Sequence, residues 1–185
     1  GAPILRRGVI RDTVGASGAQ VAAARIDYTG TVIQGLEICN SSGGCITGGI
    51  TVTKAATINN LTCAKNVGTT AHDFNLGAAV TVTGDSWICW SDNASAVKAV
   101  NVALGTLVLD RSTIYGGSGN VTGAGTKTLT NIASNDPQFE DLVGGNLRPK
   151  KTSPTRGAGV LHADTWDALG APFAAADQGA WARVA

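Results

Sequence analysis

Two carboxylates in this chain have the spacing that could do chemistry. Asp85 and Asp110 lie 25 positions apart, with Arg111 beside the second. Glycoside hydrolysis uses a carboxyl pair set about 5–9.5 Å apart across a cleft. A charge pair on a solvated surface, or a polar ladder at the edge of a repeat, accounts for the same residues, so no catalytic residue is assigned. Elimination chemistry would add a clustered Lys/Arg base or a calcium cage, and neither is evident. The nucleophile signature Gly-x-Ser-x-Gly is absent. His72, in Thr70-Ala-His-Asp73, and His162, near Asp164 and Asp167, read as loop residues.

A second group suits binding. Aromatic residues are only 5% of the chain, yet Trp87, Trp90 and Tyr115 fall on consecutive repeats. Facing outward among Asp85, Asp92 and Arg111, they would form a platform for sugar rings or for a neighbouring subunit. Four cysteines, Cys39, Cys45, Cys63 and Cys89, show no Cys-x-x-Cys, and neither histidine stands at ligand spacing from them, so no metal and no cofactor is expected. They are buried thiols in the simplest reading. If a disulfide forms, Cys39 and Cys45, flanking Asn40–Gly44, are the pair. Triplets such as Asn60-Leu-Thr match glycosylation acceptors, but an Asn/Thr-rich chain generates them by chance.

The elements that must hold these residues are set by a repeat. Ile33–Ile38, Ile58–Cys63, Thr83–Ile88 and Leu109–Ile114 share one short pattern, and their last residues are 25, 25 and 26 positions apart. A strand-like period in the twenties marks a solenoid, one turn per repeat. With 25 glycines, 15% charged residues and recurrent Val, Ile and Thr, the 185-residue chain suits many short strands joined by tight turns. Alternation places Ile38, Cys63, Ile88 and Ile114 in one inward column, and Glu37, Thr62, Trp87 and Thr113 outside. Asn60, Asp85 and Arg111 then stack after Gly35. A rival register aligns Cys39, Cys63 and Cys89.

Val9–Val14 is read as the strand of a preceding turn and Ala16–Ala24 as a short helix or loop. Gly48–Thr53, Ala78–Val82 and Val100–Ala103 read as second strands. The expected organisation is an N-terminal first coil or cap over 1–30, coils over 31–135 and a closing segment over 136–185.

That closing segment carries the more specific signal: Asp136-Pro-Gln-Phe-Glu-Asp141, Gly145-Asn-Leu-Arg148, Ser153-Pro154, Gly157-Ala-Gly159 and Asp177-Gln-Gly-Ala-Trp181. It resembles the terminal segment of right-handed parallel β-helix repeat proteins, and the coil motifs are similar to that family's repeats. Pro149 and Arg156-Gly157 depart from the family pattern. The resemblance implies an all-β, right-handed parallel β-helix of about five to six turns, single-stranded as a solenoid, with an irregular C-terminal cap. Phe139, Leu147 and Trp181 are expected to cover the open end of the coil.

A net charge of +1 supplies no field for nucleic acid, and no apolar stretch nears the roughly 20 residues that span a bilayer. The chain begins Gly-Ala-Pro, which fits a processed product or a piece of a longer protein. Proteins with this fold include phage tailspikes, virion appendages, bacterial surface proteins and polysaccharide-degrading enzymes. The resemblance therefore implies a structural or adhesive role, first in a phage virion (spike, fibre or decoration protein), on a particle or an extracellular surface. The implied partners are a homotrimer, other virion proteins and surface polysaccharide. An exported polysaccharide lyase or glycosidase and a bacterial cell-surface repeat protein are the alternatives.

Overall fold

The computed structural model describes residues 1–15, 22–43, 47–92, 97–116, 121–160, 162 and 177–180. All of its regular elements are strands, and none of the described residues forms a helix long and apolar enough to cross a membrane. The chain coils so that each strand pairs in parallel with the equivalent strand one turn later, building a parallel β-solenoid.

The larger sheet contains β1 (Ile4–Arg11), β4 (Thr31–Cys39), β7 (Ala56–Ala64), β9 (Thr81–Asp85), β10 (Ile88–Trp90), β12 (Thr106–Asp110), β13 (Thr113–Tyr115) and β15 (Thr126–Thr130). The smaller contains β3 (Ala24–Ile26), β6 (Ile50–Val52), β8 (Ala71–Leu76), β11 (Lys98–Val102) and β14 (Val121–Thr122). Short β2 (Val14–Gly15) pairs with β5 (Ser42–Gly43). Outside the coil, β16 (Phe139–Asp141) and β17 (Asn146–Pro149) form an antiparallel hairpin.

One backbone feature bends the larger sheet into two faces. Arg7, Gly35, Asn60, Ser86, Arg111 and Asn131 occupy one register position on successive turns, and all six have positive φ, between 41° and 72°. A left-handed residue reverses the pleat and turns a corner, at a cost of about 1–2 kcal/mol for a non-glycine L-residue. Glycine or asparagine fills half of these positions, as that cost favours.

Inside the corner, side chains stack in columns. The second face contributes Ile10, Ile38, Cys63, Cys89 and Ile114, so the coil makes about four turns from β1 to β13. The shortfall from five or six lies after β14, where, among the described residues, only β15 and the isolated bridge of Thr113 to Ala133 continue the pattern. The smaller sheet adds Phe74 and Val100 in one column and Val52, Leu76 and Val102 in the next. Outward on that sheet, Asn101 donates its side-chain amide to Asn75 at 2.8 Å.

The fourth turn departs from the expected register by one residue. Gly84, not Thr83, pairs with Ile58, and Cys89, not Ile88, pairs with Cys63. Ser86 takes the corner in place of Asp85, while Trp87 turns inward and Ile88 outward. The slip follows from packing. The Trp87 indole is fully buried, packs against Phe74 with ring centroids 4.9 Å apart and planes tilted by 50°, and donates Nε1–H to the Ile58 carbonyl at 2.7 Å. A Cβ on Gly84 would lie 2.7 Å from Trp87 Nε1 and 2.4 Å from the Ile58 oxygen. On the next turn Ser112 leaves space too, and its Oγ accepts from the Trp87 backbone N–H at 2.9 Å. One large residue is thus fitted between two small ones, as dense packing requires. The rival cysteine register is correct between Cys63 and Cys89 only, because Cys39 stands in the outward column.

Three strand assignments are also corrected. The first strand is Ile4–Arg11, with Ile10 rather than Val14 opposite Ile38. The second strand of the third turn is Ala71–Leu76, because Thr81 and Val82 already belong to the next pass. Ala24 opens a strand, and residues 16–21 of the proposed helix or loop lie outside the described residues.

The C-terminal segment acts as a strap along the coil's flank rather than a plug in its end. Phe139 and Leu147 pack on the outward side chains Cys39, Ala64 and Ile88. Ala180 N–H donates to Thr62 Oγ1 at 2.8 Å, Gly179 N–H to the Ser86 carbonyl at 2.6 Å, and Thr113 Oγ1 to Gln178 Oε1 at 2.5 Å. Gln178 Nε2 reaches the Arg111 carbonyl at 2.8 Å. The strap crosses three successive turns, which is why the outward residues Thr62, Ile88 and Thr113 are buried. Trp181 lies outside the described residues.

Trp87→Ala should destabilise the protein by about 3–5 kcal/mol. Gly84→Ala should cost about 1–3 kcal/mol by overpacking. Chemical denaturation of these variants and of Gly84→Ala combined with Trp87→Leu checks the packing argument: the double variant should cost less than the two single changes added together.

Candidate functional site

The corner residues and the register slip divide the expected aromatic platform. Trp87 is core. Arg111 sits at the left-handed corner and Asp85 one residue before it, at the far end of the second face from Trp90 and Tyr115. Those last two are register partners on β10 and β13, both half-buried, with ring centroids 6.4 Å apart and planes inclined by 26°. They form a stacked ledge where the second face gives way to the next corner.

Two cavities open beside this ledge. One, of about 380 Å³, lies between coil and strap: Trp90 and Tyr115 face Asp136, Gln138, Phe139, Leu142, Lys150 and Thr152. Its polar wall is braced internally, with Thr152 Oγ1 donating to Gln138 Oε1 and Gln138 N–H to Asp136 Oδ1, both at 2.9 Å. The other, of about 480 Å³, lies along the corner and is lined by Asn40, Lys65, Asn66, Val67, His72, Trp90, Ser91 and Asp92. Asp92, expected beside the aromatics, is there. Trp90 belongs to both.

Behind the corner cavity lies a buried polar cluster that the sequence reading did not single out. Asn66 donates its amide to the Ile38 carbonyl and to Asp73 Oδ1, each at 3.0 Å, while its own oxygen accepts from Ser41 N–H at 3.1 Å. Burial pushes the Asp73 carboxyl well above the usual carboxylate range, an effect the Asn66 bond partly opposes. His72 is not a loop residue: it lies in β8, nine-tenths buried, and its Nδ1 accepts from Gly68 N–H at 3.3 Å. Burial lowers its pKa, with Asp92 pulling the other way. The free thiols Cys39, Cys63 and Cys89 are buried too. Burial raises Cys63 and Cys89 well above an ordinary thiol and pushes Cys39 up to about 11, with Glu37 adding to the last. Cys45, the expected partner of Cys39, lies outside the described residues.

The carboxylate pair looks different from its sequence reading. Asp85 and Asp110 are direct register partners on adjacent strands, where the spacing is about 4.8 Å. His162 Nε2 sits 2.8 and 2.9 Å from the two Asp85 oxygens, a tie across 77 residues. Asp110 accepts from Asn131 Nδ2 at 3.0 Å and lies 3.7 Å from Arg111 Nε. Asp164 and Asp167 are outside the described residues. Asn60 is buried and donates its amide to the Asp177 carbonyl at 3.3 Å, which removes it as an accessible glycosylation acceptor. Among the described residues no group of three or more His, Cys, Asp or Glu side chains could hold a metal ion.

Because the folded-state pKa of Asp73 is raised, its burial favours folding only below the unfolded value near 3.9 and penalises it as pH rises toward the folded value. Asp73→Asn keeps the acceptor for Asn66 without the charge. Thermal unfolding should give this variant a higher Tm than the parent at about pH 7–8, with the difference closing by about pH 4. A scan against protein-family models finds no match, and neither a search of curated proteins nor one of solved structures finds any.

Proposed function

We propose that this chain is a structural and adhesive β-solenoid, a component of a phage virion such as a spike, fibre or decoration protein, whose Trp90–Tyr115 ledge contacts surface glycan. The ledge carries the reading. Two stacked aromatic rings are held partly exposed beside cavities with polar walls, the combination on which sugar rings stack while polar groups fix their orientation. The phage assignment rests on analogy: short, cap-terminated β-helices serve as rigid appendages on phage particles.

Assembly into a homotrimer is part of the proposal. Strand β1 is an edge of the larger sheet, and Ile4, Leu5 and Val9 on it are 59%, 43% and 41% exposed. An edge strand with uncovered apolar side chains is a pairing surface.

A second reading, an exported polysaccharide-degrading enzyme, draws on Asp85, Asp110 and His162. Asp85 is tied to His162, Asp110 is engaged by Asn131 and Arg111, and neither carboxylate lines the two cavities beside the ledge, which favours a structural role for the pair.

Light scattering and native mass spectrometry of the purified protein should give three chains per particle. Incubation with acidic and neutral polysaccharides should release neither reducing ends nor unsaturated products. Turnover that is lost in Asp85→Asn would establish the enzyme instead.

A further inference from the structure

The two cavities have a common wall, and their charges match. The coil–strap cavity carries Lys150 and Asp136, and the corner cavity Lys65 and Asp92, so each sets one cation against one anion. Neither offers the unbalanced positive charge that a polyanionic glycan would need. Their volumes, about 380 and 480 Å³, each fall in the range of small-ligand sites. Lys65 Nζ donates to the Val143 carbonyl at 3.1 Å, fastening the turn of the β16–β17 hairpin to the corner beside the second cavity.

The geometry points to a single groove astride Trp90 that takes a neutral oligosaccharide of at least two rings, one ring in each cavity, with the first cavity assembled only when the strap is docked. This rests on the reading of Trp90 and Tyr115 as a saccharide ledge and specifies the charge, length and composition of that site. The first cavity is composite: its aromatic floor comes from β10 and β13, and its polar wall from residues 136–152. The second belongs to the coil's own corner. A ligand in the first therefore bridges two parts of the chain that pack on each other, and its binding free energy adds to strap docking by linkage.

The experiment begins with a printed array of bacterial surface glycans. Calorimetry on the full chain follows, with neutral hexose and N-acetylhexosamine oligomers of one to four rings and uronic-acid oligomers of equal length. Neutral oligomers of two or more rings should bind about tenfold or more tighter than single rings, and uronic-acid oligomers no better than single rings. Trp90→Ala should abolish binding. Two exposed substitutions, Gln138→Ala in the first cavity and Asp92→Ala in the second, should each reduce the longer ligands to single-ring affinity while each variant keeps a cooperative unfolding transition. Hydrogen exchange should show residues 136–152 protected by the longer ligand.

Affinity independent of length, a preference for uronic-acid oligomers, or insensitivity to one of the two exposed substitutions would overturn the two-cavity groove and leave the ledge standing. A folded chain that binds nothing on the array and none of the oligomers would remove both.

Discussion

Everything in this molecule depends on like residues meeting like positions, turn upon turn. Parallel pairing at about 4.8 Å ties each turn to the next, so a residue that bends the chain on one turn must be matched on its neighbours. The left-handed corner from Arg7 to Asn131 meets that constraint with glycine, asparagine, serine and arginine alike. Three of the six, Arg7, Ser86 and Arg111, are neither glycine nor asparagine, and the stacked hydrogen bonds on both sides hold them at a costly φ. The corner then fixes which side chains enter the core and which reach the flank.

The flank explains the cap. In an isolated coil the outward column Glu37, Thr62, Ile88 and Thr113 would face water. Here all four are buried, Glu37 in an ion pair with Arg11 at 2.5 Å and the others beneath the strap. The strap converts a polar outer surface into an interior by matching it group for group, with backbone amides on Thr62 and Ser86 and a glutamine bridging Thr113 and Arg111. The same segment then supplies one wall of the cavity beside Trp90. Fold closure and candidate site are one construction.

The parallel coil was legible because aliphatic residues recur at a nearly constant interval, and period alone carries that information. The Ile38–Cys63 pairing followed from it directly. The fourth turn was not legible in the same way. Ile88 matched the aliphatic column, but the choice between Ile88 and Trp87 is made by volume: only with Gly84 on its own turn and Ser112 on the next does the indole have room, and that fit is set between two passes of the chain. The cap motif revealed that the C-terminal segment closes the fold, but not where it lies, since Phe139 and Leu147 are as suited to a flank as to an end. Trp90, Tyr115 and Asp92 were visible as a cluster by spacing. The link from His162 to Asp85 was invisible, as no local pattern joins residues so distant, and so was the buried Asn66–Asp73 pair.

The route of the strap has a mechanical corollary. A bare solenoid pulled along its axis fails by peeling, one turn at a time, each strand leaving its neighbour like a zip. Bonds from Gly179, Ala180 and Gln178 land on three separate turns, so tension spreads over several attachments at once and must shear them together. Such a splint would make the coil resist stretching far better than its slender strands suggest.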